Sequence, residues 1–324
     1  MRTYLIKRIL LMIPMLLGVT IISYFLMNLA PGDPVTMYVD YEKGPPSPEE
    51  LQRVREQLGL DKPIIIRYVL WLKGVVTGDL GYSMMSRKPV LYEIQQRIGT
   101  TLLLSVLSMI TSLIFGLLIG IICALNQYKL ADYILSVLAF ASLSIPGFWL
   151  GMMMILLFTN KLGWLPSVGL SDVSLINPNI FEVFIDRVRH LIMPVIAMSL
   201  SSIGSWARYQ RSAFLEVVGQ DYIRTARSKG LSERAITLRH AVRNSCLPII
   251  TLLGMSLPSL IGGAFLIESI FGLPGMGRLG INAINQRDYP VIMATTLFSS
   301  ILVLLGTFLS DVLYAIVDPR IRYS

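Results

Sequence analysis

Polar and apolar positions alternate along this chain on a very long wavelength. Six stretches contain no Asp, Glu, Lys or Arg: Ile9 to Ala30, Ile98 to Leu125, Tyr133 to Asn160, Leu191 to Ala207, Asn244 to Ile267 and Tyr289 to Ser310. A hydrocarbon core of ~30 Å takes about 20 residues at 1.5 Å rise, so the pattern predicts six membrane-spanning helices, the fourth the shortest. The first run is longer than the apolar segment of a signal peptide and ends in Ala30-Pro31-Gly32 without an A-x-A site, so it is expected to be retained. Breakers punctuate the later runs. Pro146-Gly147 interrupts the third, Pro194 enters the fourth, and Pro258 with Gly262-Gly263 bends the fifth. Freed backbone groups are tolerated at membrane depth where they face protein or a water-filled cavity. Pro146, Gly147, Pro258 and Gly262 are therefore candidate kink or gating positions on a substrate path.

Between the runs the signals are local. Ser47-Pro48-Glu49-Glu50 reads as a helix start, a capping box with proline at the first helical position; Leu51, Val54 and Leu58 form one stripe, and Gly59 ends the helix. The apolar stretch 63–76 is too short to span and carries Arg67 and Lys73, so it is expected to be an interfacial or re-entrant helix, packed on the bundle in preference to the alternative of a docking surface for an external partner. The glycines of 270-IFGLPGMGRLG-280 follow no strand and precede no Lys-Ser/Thr, which makes this a turn at a helix end rather than a phosphate cradle. These features divide the chain into a first helix (1–30), an outer segment (31–97), a core of five spans (98–317) with a cytoplasmic loop at 208–246, and a tail (318–324).

Composition agrees. The 324 residues are 54% hydrophobic and 15% charged, with a mean hydropathy of +0.64, the profile of an all-α polytopic membrane protein. Charge adds orientation. With the N-terminus inside, the inner segments hold 14 basic against 5 acidic residues and the outer ones 14 against 14; with Asp311 at the inner end of the last run, the net charge of +8 lies on one face. The expectation is an N-in, C-in topology. The basic balance then needs no nucleic acid: anionic lipid or an acidic partner at the inner face accounts for it. Cys123 and Cys246 fall near inner helix ends, where they are expected to be reduced and unpaired.

Much chemistry is excluded. There is no P-loop, since no Gly is followed by Lys, and there is no H-E-x-x-H, G-x-S-x-G or C-x-x-C. The chain is not an enzyme by these signs. The six runs also lack the midplane charges of ion-coupled carriers; Asp311 lies at the inner end of the last run, where a snorkelling or capping role fits better than a proton relay. A stand-alone transporter and a membrane-anchored recruiting protein remain as alternative readings.

The loop 221-DYIRTARSKGLSERAITLRHAVRN-244 is the specific feature. Asp221 is expected to cap a helix that Gly230 ends, and Ser232 a second one running to Asn244. Ile223, Ala226, Leu231 and Ile236 are expected to pack the inside of this elbow. Arg224, Arg227, Lys229, Arg234 and Arg239 would face outward. A recognition helix for DNA, held against an anionic membrane and poor in base-reading Asn or Gln, does not fit; protein docking does.

Here the sequence resembles the cytoplasmic EAA coupling loop of binding-protein-dependent ABC importer permeases, in the variant of the dipeptide/oligopeptide/nickel group. D-Y-I-R-T-A-R-x-K-G-L, then R-H-A-x-R-N, then L-P carry the resemblance. Further matches to the first-type permease subunit of that group are 27-MNLAPGDPV-35, 59-GLDKPIIIRYVLWLKGVVTGDLGYSM-84, 268-ESIFGLPGMGRL-279, 288-DYPVI-292 and 318-DPRIR-322. Against the broad EAA pattern, Arg224 and Thr225 replace Glu and Ala, Ala226 keeps its place, and the Leu-Pro pair comes later. The resemblance implies a type I importer permease fold in a bacterial or archaeal cell membrane. It implies four kinds of partner: a second similar permease, two cytosolic ATPases that bind ATP and Mg, an external binding protein that delivers substrate, and membrane lipid. It places Asp221, Arg224, Ala226, Arg227, Gly230, Leu231, Arg239 and His240 in the coupling loop, with no cofactor, metal or catalytic residue in this chain. Peptide is the expected substrate, nickel or a metal chelate the alternative.

Overall fold

The computed structural model describes residues 2–29, 35, 46–57, 59–172, 174–175, 177–246, 248–249, 252–253 and 259–317. Among them the structure is helical, and β pairing is confined to an isolated antiparallel bridge between Tyr82 and Pro89. α1 (Arg2–Leu29) carries the first apolar run straight through Pro14. α2 (Pro48–Gln57) starts where the sequence marks it: Ser47 Oγ accepts the Glu50 N–H at 3.2 Å. Leu58, expected at the end of its stripe, lies outside the described residues. α3 (Ile64–Thr77) is the short outer helix. α4 (Val90–Leu125) starts before its apolar run, because Glu93 and Arg97 pair one turn apart and Ser86 Oγ bonds Glu93 Oε1 at 3.0 Å.

The third run is not one continuous helix. α5 (Leu130–Ser144) and α6 (Gly147–Met154), the latter continued by a π-helical turn (Ile155–Lys161), meet at 101°. Pro146 supplies no N–H and its ring pushes Ile145 into extended backbone (φ −86, ψ 119), so the helix cannot continue through it. Pro194 behaves differently. α7 (Ile180–Val218) runs unbroken past it and absorbs two stretches read as loop, 180–190 and 208–218. Its start is a full capping box that was not anticipated, with Asn179 Oδ1 accepting the Glu182 N–H at 2.8 Å and Glu182 Oε2 accepting the Asn179 N–H at 2.9 Å. α8 (Asp221–Ser228) and α9 (233–245) form the elbow. α10 (Ser259–Ile270), α11 (Met276–Gln286) and α12 (Tyr289–Val317) complete the described chain. Pro258 and the tail 318–324 lie outside it.

Among the described residues three helices are long and apolar enough to cross a membrane, Ile6–Leu29, Val90–Leu125 and Tyr289–Val312, or four if the bent α5–α6 pair is one broken span. Packing centres on α7. A Cβ added at Gly116 of α4 would lie 2.4 Å from the Trp206 Cβ, and one at Gly120 would lie 2.6 Å from the Ala207 carbonyl oxygen. The two glycines form a G-x-x-x-G stripe that lets backbones touch, the usual means of association where lipid offers no hydrophobic drive. On another side Gly204 of α7 meets Ala139 O of α5, where a Cβ would come within 2.4 Å. α6 and α10 join through a buried apolar cluster with Leu104, Met154, Met193, Ile267 and Phe271.

α12 lies along α1, and their charges meet at one end: Arg8 Nε stands 3.3 Å from Asp311 Oδ2. Asp311 is thus an ion-pair partner at the helix end. At the opposite end Asp288 caps α12, taking the Val291 N–H on Oδ1 and bonds from Ser83 Oγ and the Met85 N–H on Oδ2. This ties the outer turn at 82–89 to the last span.

Gly120→Leu should therefore separate α4 from α7 at a cost of about 1–3 kcal/mol or more. The check is the heat-induced loss of the monodisperse peak of the detergent-purified chain in size exclusion. Gly18→Leu, where an added Cβ meets nothing within 4 Å, should leave that midpoint in place.

Candidate coupling site

The elbow is built by its turn. Gly230 has φ +76, and around it the Leu231 N–H bonds Ala226 O at 3.4 Å while the Gly230 N–H bonds Arg227 O at 2.9 Å. This pair of bonds is the Schellman ending, which satisfies the last carbonyls of α8 and requires a left-handed residue. Asp221 is the first helical residue and not the cap: Gln220 takes the cap position without a side-chain bond. The Asp221 carboxylate instead favours the positive helix end and stands 3.4 Å from Arg224, both groups exposed. Ser232 caps α9 as expected, its Oγ accepting the Ala235 N–H at 3.3 Å.

Ile223, Ala226 and Ile236 form the small core of the elbow. Leu231, expected to join them, is 43% exposed: it follows the left-handed Gly230, and its backbone N–H, not its side chain, is what returns to α8. Arg227 and Glu233 clamp the turn from outside with a two-pronged pair, Nε to Oε1 at 2.8 Å and Nη2 to Oε2 at 3.2 Å. The hydrogen-bonded guanidinium holds the Glu233 carboxyl below the usual carboxylate range, so the pair persists through that range and is lost only as pH falls below it. Arg239 is exposed and His240 half-buried, its carbonyl accepting from Asn244 Nδ2 at 2.7 Å. Within α9, Ile236–Val242 is π-helical.

The base of the elbow is fixed to α7 and α4. Ala241 packs with Phe214 and Ala124, and buried Gln210 donates to Ser245 Oγ at 2.9 Å. Beside it Arg211 of α7 grips Asp132 at the start of α5 with two bonds of 2.8 Å. Cys123 is buried and Cys246 half-buried, and both are free thiols. The arrangement is a stiff lever: an exposed basic tip, a small apolar core, and a hydrogen-bonded root on the longest helix.

A second cluster, at the other end of the helices, was missed in the sequence. Glu268 at the end of α10 is fully buried, yet three donors meet it: Thr101 Oγ1 at 2.6 Å, the Gly277 N–H at 2.8 Å and the Arg278 N–H at 3.1 Å. The glycine-rich turn is a cradle after all, but for the chain's own carboxylate at the N-terminus of α11. A Cβ at Gly275 would fall 2.1 Å from the Glu268 carboxyl carbon. The legible signal was a lone carboxylate closing an apolar run just before four glycines.

Next to this cradle a cleft of about 420 Å³ opens between α1, α10, α11 and α12. Its lining includes Thr101 of α4 and Thr295, Thr296, Ser299 and Ser300 of α12, together with Met15, Phe265 and Ile284. The kink positions read from sequence are elsewhere: Pro146 and Gly147 sit at the α5–α6 break, where an added Gly147 Cβ would lie 3.0 Å from Ala197 O, and Gly262 lies within α10.

Residues 116–323 match the family model of the binding-protein-dependent transport system inner membrane component, and 1–107 match the N-terminal model of that membrane component. The chain belongs to this permease family. It is 42% identical over its full 324 residues to the oligopeptide transport system permease protein AppB of Bacillus subtilis (strain 168), covering 100% of both chains. It is 37% identical, again over 100% of both, to the glutathione transport system permease protein GsiC of Escherichia coli (strain K12). Two solved ABC transporters share the fold. An inward-facing MetNI methionine transporter gives a TM-score of 0.55 at 18% identity, over 70% of this chain and 97% of that one. An amino acid ABC transporter gives 0.52 at 15% identity, over 71% and 95%. The permease is thus a membrane subunit of an ABC importer, and the elbow lies within the matched region of the larger family model.

Ile236→Ala in the permease should loosen the elbow by about 2–5 kcal/mol, since Ile236 is 2% exposed. Hydrogen exchange should accelerate at the amides of 223–236. Arg224→Ala, at a side chain 75% exposed, should leave that exchange unchanged.

Proposed function

We propose that this permease forms half of the translocation path of an ATP-driven importer of di- and oligopeptides, delivered by an external binding protein and coupled to a cytosolic ATPase through the 221–244 elbow. The observation that carries the substrate class is the full-length relation, at 42% and 37% identity, to permeases named for oligopeptide and glutathione. Peptide stands ahead of nickel or a metal chelate on that ground.

The topology proposed is six spans with both ends inside: α1, α4, the broken α5–α6 pair, α7, the stretch ending in α10, and α12. The Arg8–Asp311 pair, which brings the start of α1 to the end of α12, and the one-sided positive charge support it. The family's assembly supplies the rest: a second permease, and two ATPases that bind ATP and Mg.

Transport follows from the lever. Closure of the ATPases shifts the grooves in which the elbows sit, and the tip around Gly230 moves with its groove. The Gln210–Ser245 bond and the Phe214–Ala241 contact pass that displacement to α7, a helix of about 58 Å. The glycine contact carries it to α4, and Thr101 of α4 touches the Glu268 cradle at the other end. The hydroxyl-lined cleft beside the cradle is the proposed path wall. Its lining joins apolar side chains to uncharged hydroxyls and carries no charged side chain, which suits a carrier whose selectivity lies in its binding protein.

The test is Gly230→Trp. An added Cβ at Gly230 meets nothing within 4 Å, so the bulk projects toward the partner rather than into the elbow, and the left-handed backbone alone is strained. The variant should insert and assemble with its partners, hydrolyse ATP, and lose most peptide uptake in proteoliposomes. Wild-type uptake by that variant would remove the elbow from the coupling route.

A further inference from the structure

We propose that the cleft between the inner halves of α5 and α7 is a binding site for an acidic phospholipid. Where Gly204 touches Ala139 the two helices are in backbone contact, and beside that contact they enclose a cavity of about 340 Å³. Cys123 of α4 lines it, and its walls are apolar: Phe140 and Leu143 from α5, Leu215 from α7. Polar groups gather where α7 leaves the apolar run, at Arg208, Arg211 and Ser212.

The charges there do not cancel. Arg211 is held by Asp132 through both prongs of its guanidinium, which leaves that pair neutral. Ser136 Oγ also bonds Asp132 at 3.3 Å. Arg208 has no carboxylate partner among the described residues; it is exposed, with its guanidinium 5.6 Å from the Tyr209 ring centre. The site is one uncompensated cation over an apolar slot, beside hydroxyls. A phosphodiester suits the cation and a hydroxyl, and an acyl chain suits the slot. Basic pockets between helices on the inner side of a membrane are recognised places for acidic headgroups.

The exposed apolar side chains of α5 next to the cleft, Val137 and Leu138, point to hydrocarbon as the neighbouring medium rather than water. A soluble anion would gain the cation but leave the slot empty. A zwitterionic lipid would bring its own ammonium toward Arg208 and lose most of the electrostatic gain. The inner-leaflet assignment uses the orientation proposed above; the lipid chemistry does not. A bound lipid would brace α5 against α7 just before α7 turns into the elbow, so membrane composition would stiffen the lever.

The experiment titrates the full chain in mixed micelles with dioleoylphosphatidylglycerol and counts bound lipid by native mass spectrometry, with dioleoylphosphatidylcholine, inorganic phosphate and an anionic tripeptide as parallel probes. The wild type should bind the glycerol lipid about fivefold more tightly than the choline lipid. Arg208→Ala should abolish that preference and Arg208→Lys should keep it. Leu143→Trp, which fills the slot, should weaken binding, whereas Leu138→Trp on the exposed side should not. Equal binding of the two lipids by the wild type, or an undiminished preference in Arg208→Ala, overturns the proposal. So does displacement at equal concentration by inorganic phosphate, which would make this a simple anion site, or by the tripeptide, which would make it part of the substrate path.

Discussion

The approach of α4 to α7 through Gly116 and Gly120 is the constraint on which the rest of the chain depends. In lipid, apolar side chains gain little by leaving one hydrocarbon surface for another, so helices associate through close van der Waals contact and hydrogen bonds. With Trp206 Cβ and the Ala207 carbonyl placed where a side chain would otherwise stand, even one methyl on either glycine holds the helices apart. Because α7 also receives α5 at Gly204 and α6 at Ala197, that first contact sets where the other helices go.

Polar groups are then spent at helix ends. Asp132, Glu268, Asp288 and Asp311 each close or join a helix, and each has donors or a cation waiting. Burial of a carboxylate is costly unless its oxygens are bonded, and here the bonds run between elements distant in sequence. Ser83 reaches Asp288, Thr101 reaches Glu268, and Arg8 reaches Asp311. The polar groups therefore do the work of loops, fixing register between spans whose apolar faces would slide.

Local features were readable in the sequence because they depend on neighbours along the chain. Ser47-Pro48 starts a helix, Gly230 ends one, Ser232 caps the next, and Ile223, Ala226 and Ile236 meet as their spacing demands. The family was legible for the same reason, since its motifs are contiguous. What failed was non-local. Pro146 and Pro194 look alike in sequence, yet one breaks a helix and the other does not. Pro194 is buried in α7 with helix on both sides, whereas at Pro146 Ile145 is extended and the flanking helices meet at 101°. Glu268 read as an outer-loop charge because its partners lie on another helix and in a turn whose glycines make room for it. Spacing alone puts Leu231 in the elbow core, but the turn at Gly230 leaves its side chain 43% exposed.

The π-helical stretch Ile236–Val242 has a geometric consequence for the elbow. Buried positions in α9 fall at Ile236, Ala241 and Ser245, steps of five and then four. In a regular α-helix a step of five turns a side chain well off the first face; the wider i to i+5 winding brings it nearly back. Ile236 and Ala241 therefore share one side of a single rod, although one belongs to the tip and the other to the root. Tip and root are thereby parts of one continuous helix with no break between them. Restoring regular winding would turn the two contact faces out of phase and split the rod into two pieces that move separately.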